Sequence, residues 1–159
     1  MLLDSLLEFV SHSGSPETLV GAAGVEITFT RVIDLLGSGT GTAPVNIIGN
    51  ATLFGYDPGI GRTAPEVQIT IGTALTTGTA ATARFTLQYA PDAGSPTYLP
   101  GTWEVAVASA AYPVSELTAG TVVRFAMPVT PPATPRPRFM QLTMQVPAAT
   151  NMTAGTVSW

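Results

Sequence analysis

Apolar and polar side chains alternate along much of this chain, and the alternation is clearest between Glu66 and Tyr89. Val67, Ile69 and Ile71 take turns with Glu66, Gln68 and Thr70, and Ala83, Phe85, Leu87 and Tyr89 with Thr82, Arg84, Thr86 and Gln88. A period of two lines one face of a pleated strand with apolar groups, and the β-branched and aromatic content suits that surface. Gly72 to Ala81 is a run of small residues between the two. The spacing therefore predicts an antiparallel hairpin, with Ile69, Ile71, Phe85 and Leu87 at the centre of the core.

The same pattern recurs elsewhere. Val25, Ile27 and Phe29 oppose Glu26, Thr28 and Thr30, and Ile33 to Leu35 then enters the glycine run Gly37–Gly41. Val45 to Phe54 reads as a strand closed by the turn Tyr56–Gly59, and Pro91–Gly94 as a loop. Trp103, Val105 and Val107 alternate with Glu104 and Ala106, in phase with a core. Leu117–Gly120 turns into a strand with Val123, Phe125 and Met127 on one face. Met140, Leu142, Met144 and Val146 share another, and Asn151–Gly155 turns into Thr156–Trp159. The resemblance of 117–122 to 152–157 predicts one turn type used twice. About eight strands with no long helical pattern predict an all-β fold. Two antiparallel sheets packed as a jelly-roll sandwich accommodate that number, with the strand order open.

Two stretches break the pattern. Leu2, Leu3, Leu6, Leu7 and Val10 recur at helical spacing, too briefly to persist alone in water. Residues 1–24 read as an N-terminal arm and Ser/Gly/Pro-rich connector, and 25–159 as the sandwich domain. The arm either tucks on its own core or docks on a neighbouring chain. Pro128–Pro137 holds a run of prolines, which favours an extended surface crossover. An extended backbone there splays Arg136 and Arg138 outward toward another subunit.

Composition narrows the functional classes. The 159 residues are 45% hydrophobic but only 10% charged, with net charge −4 and no lysine or cysteine. A chain this short of basic groups lacks the positive face that nucleic acid demands. Disulfides and thiolate metal sites are excluded. No apolar run reaches the length of a membrane span, and the first ten residues lack a signal-peptide pattern.

Catalytic groups are equally scarce. His12 is the only histidine and sits in the connector; pairing it with a serine and Asp34 lacks a nucleophile-elbow motif. Glu66, Glu104 and Glu116 are the carboxylates available for glycoside hydrolysis, each also explained as an outward strand or loop residue. Pro44 after the glycine run argues against a phosphate loop, and no calcium-loop motif is present. The acceptor-like triplets at Asn50 and Asn151 read as chance matches in a threonine-rich chain. No enzyme activity, metal or cofactor is expected. A carbohydrate-binding jelly roll of a phage fibre or lectin type, stacking sugars on Tyr98, Trp103 and Tyr112, is the alternative class.

Met1–Asp4, Leu6–Phe9, Val32–Leu35 before the glycine run and Val67–Ala74 resemble, in order, the capsid cement (decoration) proteins of tailed bacteriophages of the Bordetella-phage jelly-roll type. Leu117–Gly120, Phe125–Pro128, Arg138–Leu142 and Thr153–Val157 are similar to the end of that family. The chain departs from the pattern at Ser11–Gly24, at Thr40–Arg62 and at its terminal Trp159. The resemblance implies a structural virion protein on the outer surface of an icosahedral capsid, made in the bacterial host cytoplasm. It implies a homodimer, with a trimer as the alternative, that bridges major capsid protein subunits against internal DNA pressure. No cofactor, direct nucleic-acid contact or membrane is implied. The capsid-contact candidates are Leu2, Leu3, Leu6, Leu7, Phe9, Val10, Arg136 and Arg138.

Overall fold

The alternating stretches become strands because a period of two is satisfied only when one face of a sheet is covered. The strands are β1 (Glu17–Thr18), β2 (Glu26–Thr28), β3 (Ile33–Asp34), β4 (Glu66–Thr77) and β5 (Thr82–Ala90). There follow β6 (Glu104–Ala108), β7 (Tyr112–Pro113), a 3-10 turn at Val114–Glu116, β8 (Val122–Ala126), β9 (Phe139–Gln145) and β10 (Met152–Ser158). This is a computed structural model, and it describes residues 16–30, 32–34, 66–93, 99–127, 138–146 and 148–158.

The strands form two antiparallel sheets, one in the order β1-β10-β4-β8 and the other β2-β9-β5-β6, with β3 on β9 and β7 on β5. The pairings are nested. β1 lies against β10, β2 and β3 against β9, β4 against β8, and β5 against β6 and β7. The contacts β4–β10 and β5–β9 then close each sheet. A long antiparallel hairpin rolled on itself has this order, which is that of a jelly roll.

The expected centre of the core is correct: Ile69, Ile71, Phe85 and Leu87 are all buried. Leu19, Leu117, Val123, Met140, Leu142, Met144 and Val157 complete it from the surrounding strands. Burying each large aliphatic or aromatic side chain contributes about 1.5–3 kcal/mol.

The hairpin between 66 and 89 is not a hairpin. β4 belongs to one sheet and β5 to the other, so the two strands face each other across the sandwich. Alternation says which face of a strand is apolar but not whether its partner lies beside it or opposite it. Facing strands cover both apolar sides at once. β4 also runs on through Gly72–Thr77, which the sequence assigns to the loop. The crossing is left to Gly78–Ala80, where Thr77 Oγ1 donates to the Thr79 carbonyl and the Gly78 amide to Thr150 Oγ1.

Three further expectations are corrected. The connector up to Gly24 contributes β1, and Leu19 within it is fully buried. Trp103 and Val105 are not core residues: Trp103 is half-buried and Val105 is 59% exposed. A register shift beside Leu87 and Gln88 inserts an extra residue into β6, changing the phase so that Ala106 and Val107 both pack on the core. The second predicted turn, Asn151–Gly155, is mostly strand β10, and the chain reverses earlier, at Ala148–Thr150. The predicted strand at 45–54, the turn at 56–59 and the proline-rich run at 128–137 lie outside the described residues.

Candidate functional site

The outward face of the β2-β9-β5-β6 sheet is polar, as its sequence says, yet it is covered. Thr86 and Gln88 on β5, and Gln141 and Thr143 on β9, are buried. Register places Thr86 opposite Thr143 and Gln88 opposite Gln141. Gln141 Nε2 donates to Gln88 Oε1 at 2.6 Å, and Gln88 Nε2 donates to Glu26 Oε1 at 2.7 Å. Thr143 Oγ1 donates to the same Glu26 oxygen at 2.6 Å.

The carboxylate thereby ties the three-residue β2 to β9 and β5. Burying amides and hydroxyls costs free energy unless they are paired, and here they pair with one another. Among the described residues, no buried side-chain nitrogen or oxygen lacks a partner. Slipping β9 by one residue against β5 would turn this network into the core, so the network pins register. Its donors are neutral and converge, directly or through Gln88, on one carboxylate.

Arg138 departs from its expected role. It is 3% exposed rather than splayed outward, and its Nη1 donates to Asp92 Oδ2. Its guanidinium also lies 5.0 Å from the Phe139 ring centroid, and its amide donates to the Ala90 carbonyl. Asp92 bridges to Pro100, while the Ala93 amide donates to Leu99 and that of Gly101 to Pro91. Arg138 thus clamps a short ribbon onto the start of β9. A desolvated guanidinium needs such a counter-charge, which outweighs the extended-chain argument for exposure.

The other sequence candidates are dispersed. Glu66 begins β4 in one sheet, Glu104 begins β6 in the other, and Glu116 ends the 3-10 turn. Among the described residues no group of three or more histidines, cysteines or carboxylates is arranged to hold a metal. Leu2, Leu3, Leu6, Leu7, Phe9, Val10, His12, Tyr98 and Arg136 lie outside the described residues. Tyr112 is half-buried, and burial raises the Tyr89 phenol pKa above its ordinary value by desolvating the phenolate.

Two surface features were not foreseen. A groove of about 480 Å³ runs under the β4–β5 crossing, lined by Thr76, Thr77, Thr79, Pro113 and Ser115 among others. It is neutral and hydroxyl-rich. The second is the outward face of β4 and β8, where Gln68 pairs with Arg124, Thr70 with Val122 and Glu66 with Ala126. β8 ends this sheet, and Val122 and Arg124 on it are exposed. A regular strand with exposed apolar and charged residues at a sheet edge is the arrangement that accepts a partner. The alternation in 121–127 could have indicated it, had the strand order been known.

No protein-family model matches the chain, and no curated protein matches it.

Proposed function

We propose that this protein is a structural component of a phage head, decorating the outside of the capsid and bridging major capsid protein subunits. The observation that carries the reading is the jelly-roll strand order joined to the outward face of the β1-β10-β4-β8 sheet, where Gln68, Thr73, Thr76, Ala126 and Thr153 are exposed among few charges. That order agrees with the fold implied by the resemblance of the sequence to capsid cement proteins. A fold alone does not assign a function, so the surface has to contribute. Neutral hydroxyl and methyl surface costs less to desolvate than charged surface, and it suits a protein that lies flat on another.

In this reading the apolar residues Leu2, Leu3, Leu6, Leu7, Phe9 and Val10 contribute contact area to the coat. The full chain, mixed with emptied heads of a tailed phage that lack their own decoration protein, should co-sediment with them and raise the temperature at which they break. Leu6→Asp with Leu7→Asp should reduce the bound fraction while leaving the melting curve of the free protein unchanged. Absence of binding to heads, together with retention on a glycan array, would replace this reading with the carbohydrate-binding one.

A further inference from the structure

The edge formed by β8 differs from the other sheet edges. β1, β2 and β3 have two or three residues each, and β6 carries a register shift that twists an edge away from partners. β8 keeps unbroken register with β4 from Val122 to Ala126. No described residue pairs with its other side.

The hydrogen-bond phase of β8 is set at its start. The Gly120 amide donates to the Ile71 carbonyl, and the Ile71 amide donates to Thr121. Two and four residues on, Val123 and Phe125 sit opposite Ile69 and Val67 and turn their backbone groups toward β4. Val122, Arg124 and Ala126 turn theirs to the free edge. Phe125 and Met127, on the core side, are only partly buried.

We propose that β8 is the docking edge for a second copy of this chain, paired antiparallel with its own counterpart about a twofold axis beside Phe125. Charge selects the register. A twofold axis at Arg124 would set two guanidinium groups opposite each other, which repels. An axis at Phe125 instead sets Arg124 opposite Ala126 of the second copy. In each copy Glu66 lies next to Ala126 on β4. Two strand spacings separate Arg124 from that Glu66, about 10 Å, a span that both extended side chains cover across an alanine methyl.

The symmetry forms this ion pair twice. It also places the two Phe125 rings together and Met127 beside Val123, covering apolar surface that each copy leaves half open. The two four-stranded sheets become one continuous sheet. A homodimer is what the resemblance to capsid cement proteins implies; its edge and register are inferred from the strand itself, and the pair forms without any capsid present.

Sedimentation of the purified full chain should give the mass of a dimer. Arg124→Glu should weaken association by roughly tenfold or more, because like charges then face each other across the edge; combining it with Glu66→Arg should restore the dimer. The chain has no cysteine, so single cysteines report register directly. Phe125→Cys should form a disulfide-linked dimer on mild oxidation, since directly opposed Cβ atoms lie about 4.5–5.5 Å apart. Val122→Cys should not, because its two copies lie about 20 Å apart along the strands. A monomeric wild-type chain, failure of the double charge swap to rescue, or equal cross-linking at both positions would each overturn the proposal.

Discussion

Thr118–Val122 and Thr153–Val157 have the same five residues in the same order, and they fold differently. In the first, the Thr121 amide donates to the Thr118 carbonyl at 3.0 Å, closing a turn with Gly120 at φ 85°. Gly120 then makes a glycine bulge against Ile71 and starts an edge strand. In the second, the residues lie within β10, between β1 and β4, with register shifts on both sides of Ala154 and again before Val157. Gly155 has φ 147° and lies beneath Leu75, whose Cγ would be 2.9 Å from an added Cβ.

Both glycines hold a backbone that other residues resist, which is the property the pentapeptide encodes. Its surroundings decide the rest. Val122, at an edge, is 43% exposed, whereas Val157, in an interior strand, is 1% exposed. Nothing lies within 4 Å of an added Cβ at Gly120. What the two copies share is a glycine at positive φ, while backbone course, burial and partner all differ.

The largest expected effect comes from adding one methyl to the buried copy. Gly155→Ala should cost about 3–5 kcal/mol, combining a strained φ with overpacking against Leu75. Urea unfolding measures it; a cost under about 1 kcal/mol would mean the bulge relaxes freely. Val157→Ala should cost about 2–3 kcal/mol and Val122→Ala within about 0.5 kcal/mol of nothing in a monomer, the same side chain differing by burial alone. Gly120→Ala should cost about 1–2 kcal/mol, from φ without a clash. Equal costs at the two glycines would erase the distinction drawn here.

A double mutant sharpens the cause. If Leu75 is what opposes Gly155→Ala, then Leu75→Ala with Gly155→Ala should be less destabilising than the two costs added, by about 1 kcal/mol. Strict additivity would assign the cost to backbone strain instead.

The smallest effect is one of pH. Neither pentapeptide has an ionisable side chain, so the ranking above should hold across neutral pH. At alkaline pH, Tyr89 enters. Its folded pKa is raised by burial above the ordinary 10.0, so the unfolded phenol loses its proton first. Fewer protons on the unfolded chain mean that stability falls as pH rises above 10.0 and through the folded pKa. All the variants should lose stability in parallel there, and Tyr89→Phe should remove that part of the slope.

The clamp and the polar network were legible only in part. Arg138 follows a run of prolines, and neighbouring residues suggest an outward side chain; its partner Asp92 is 46 positions away and no local pattern connects them. Gln88, Gln141 and Thr143 look like ordinary solvent-facing residues of alternating strands. The one available signal is that Thr86, Gln88, Gln141 and Thr143 form an uncharged block, bordered by Arg84, which a freely solvated face does not require. Glu26 joins them only because β2 is brought beside β9.

Side-chain alternation determined by itself that this chain is built of β-strands and which face of β4, β5, β8 and β9 turns inward, because a two-residue period is a property of one strand; in β6 the bulge broke that phase. It also placed Ile69, Ile71, Phe85 and Leu87 in the core without reference to neighbours. Partner choice was decided by tertiary structure. β4 and β5 carry matching apolar faces that could lie side by side or face to face, and only the packed sandwich selects the second. The same holds for the twin pentapeptides: glycine permits the unusual backbone, and the strands around it determine whether that backbone becomes a turn or a bulge.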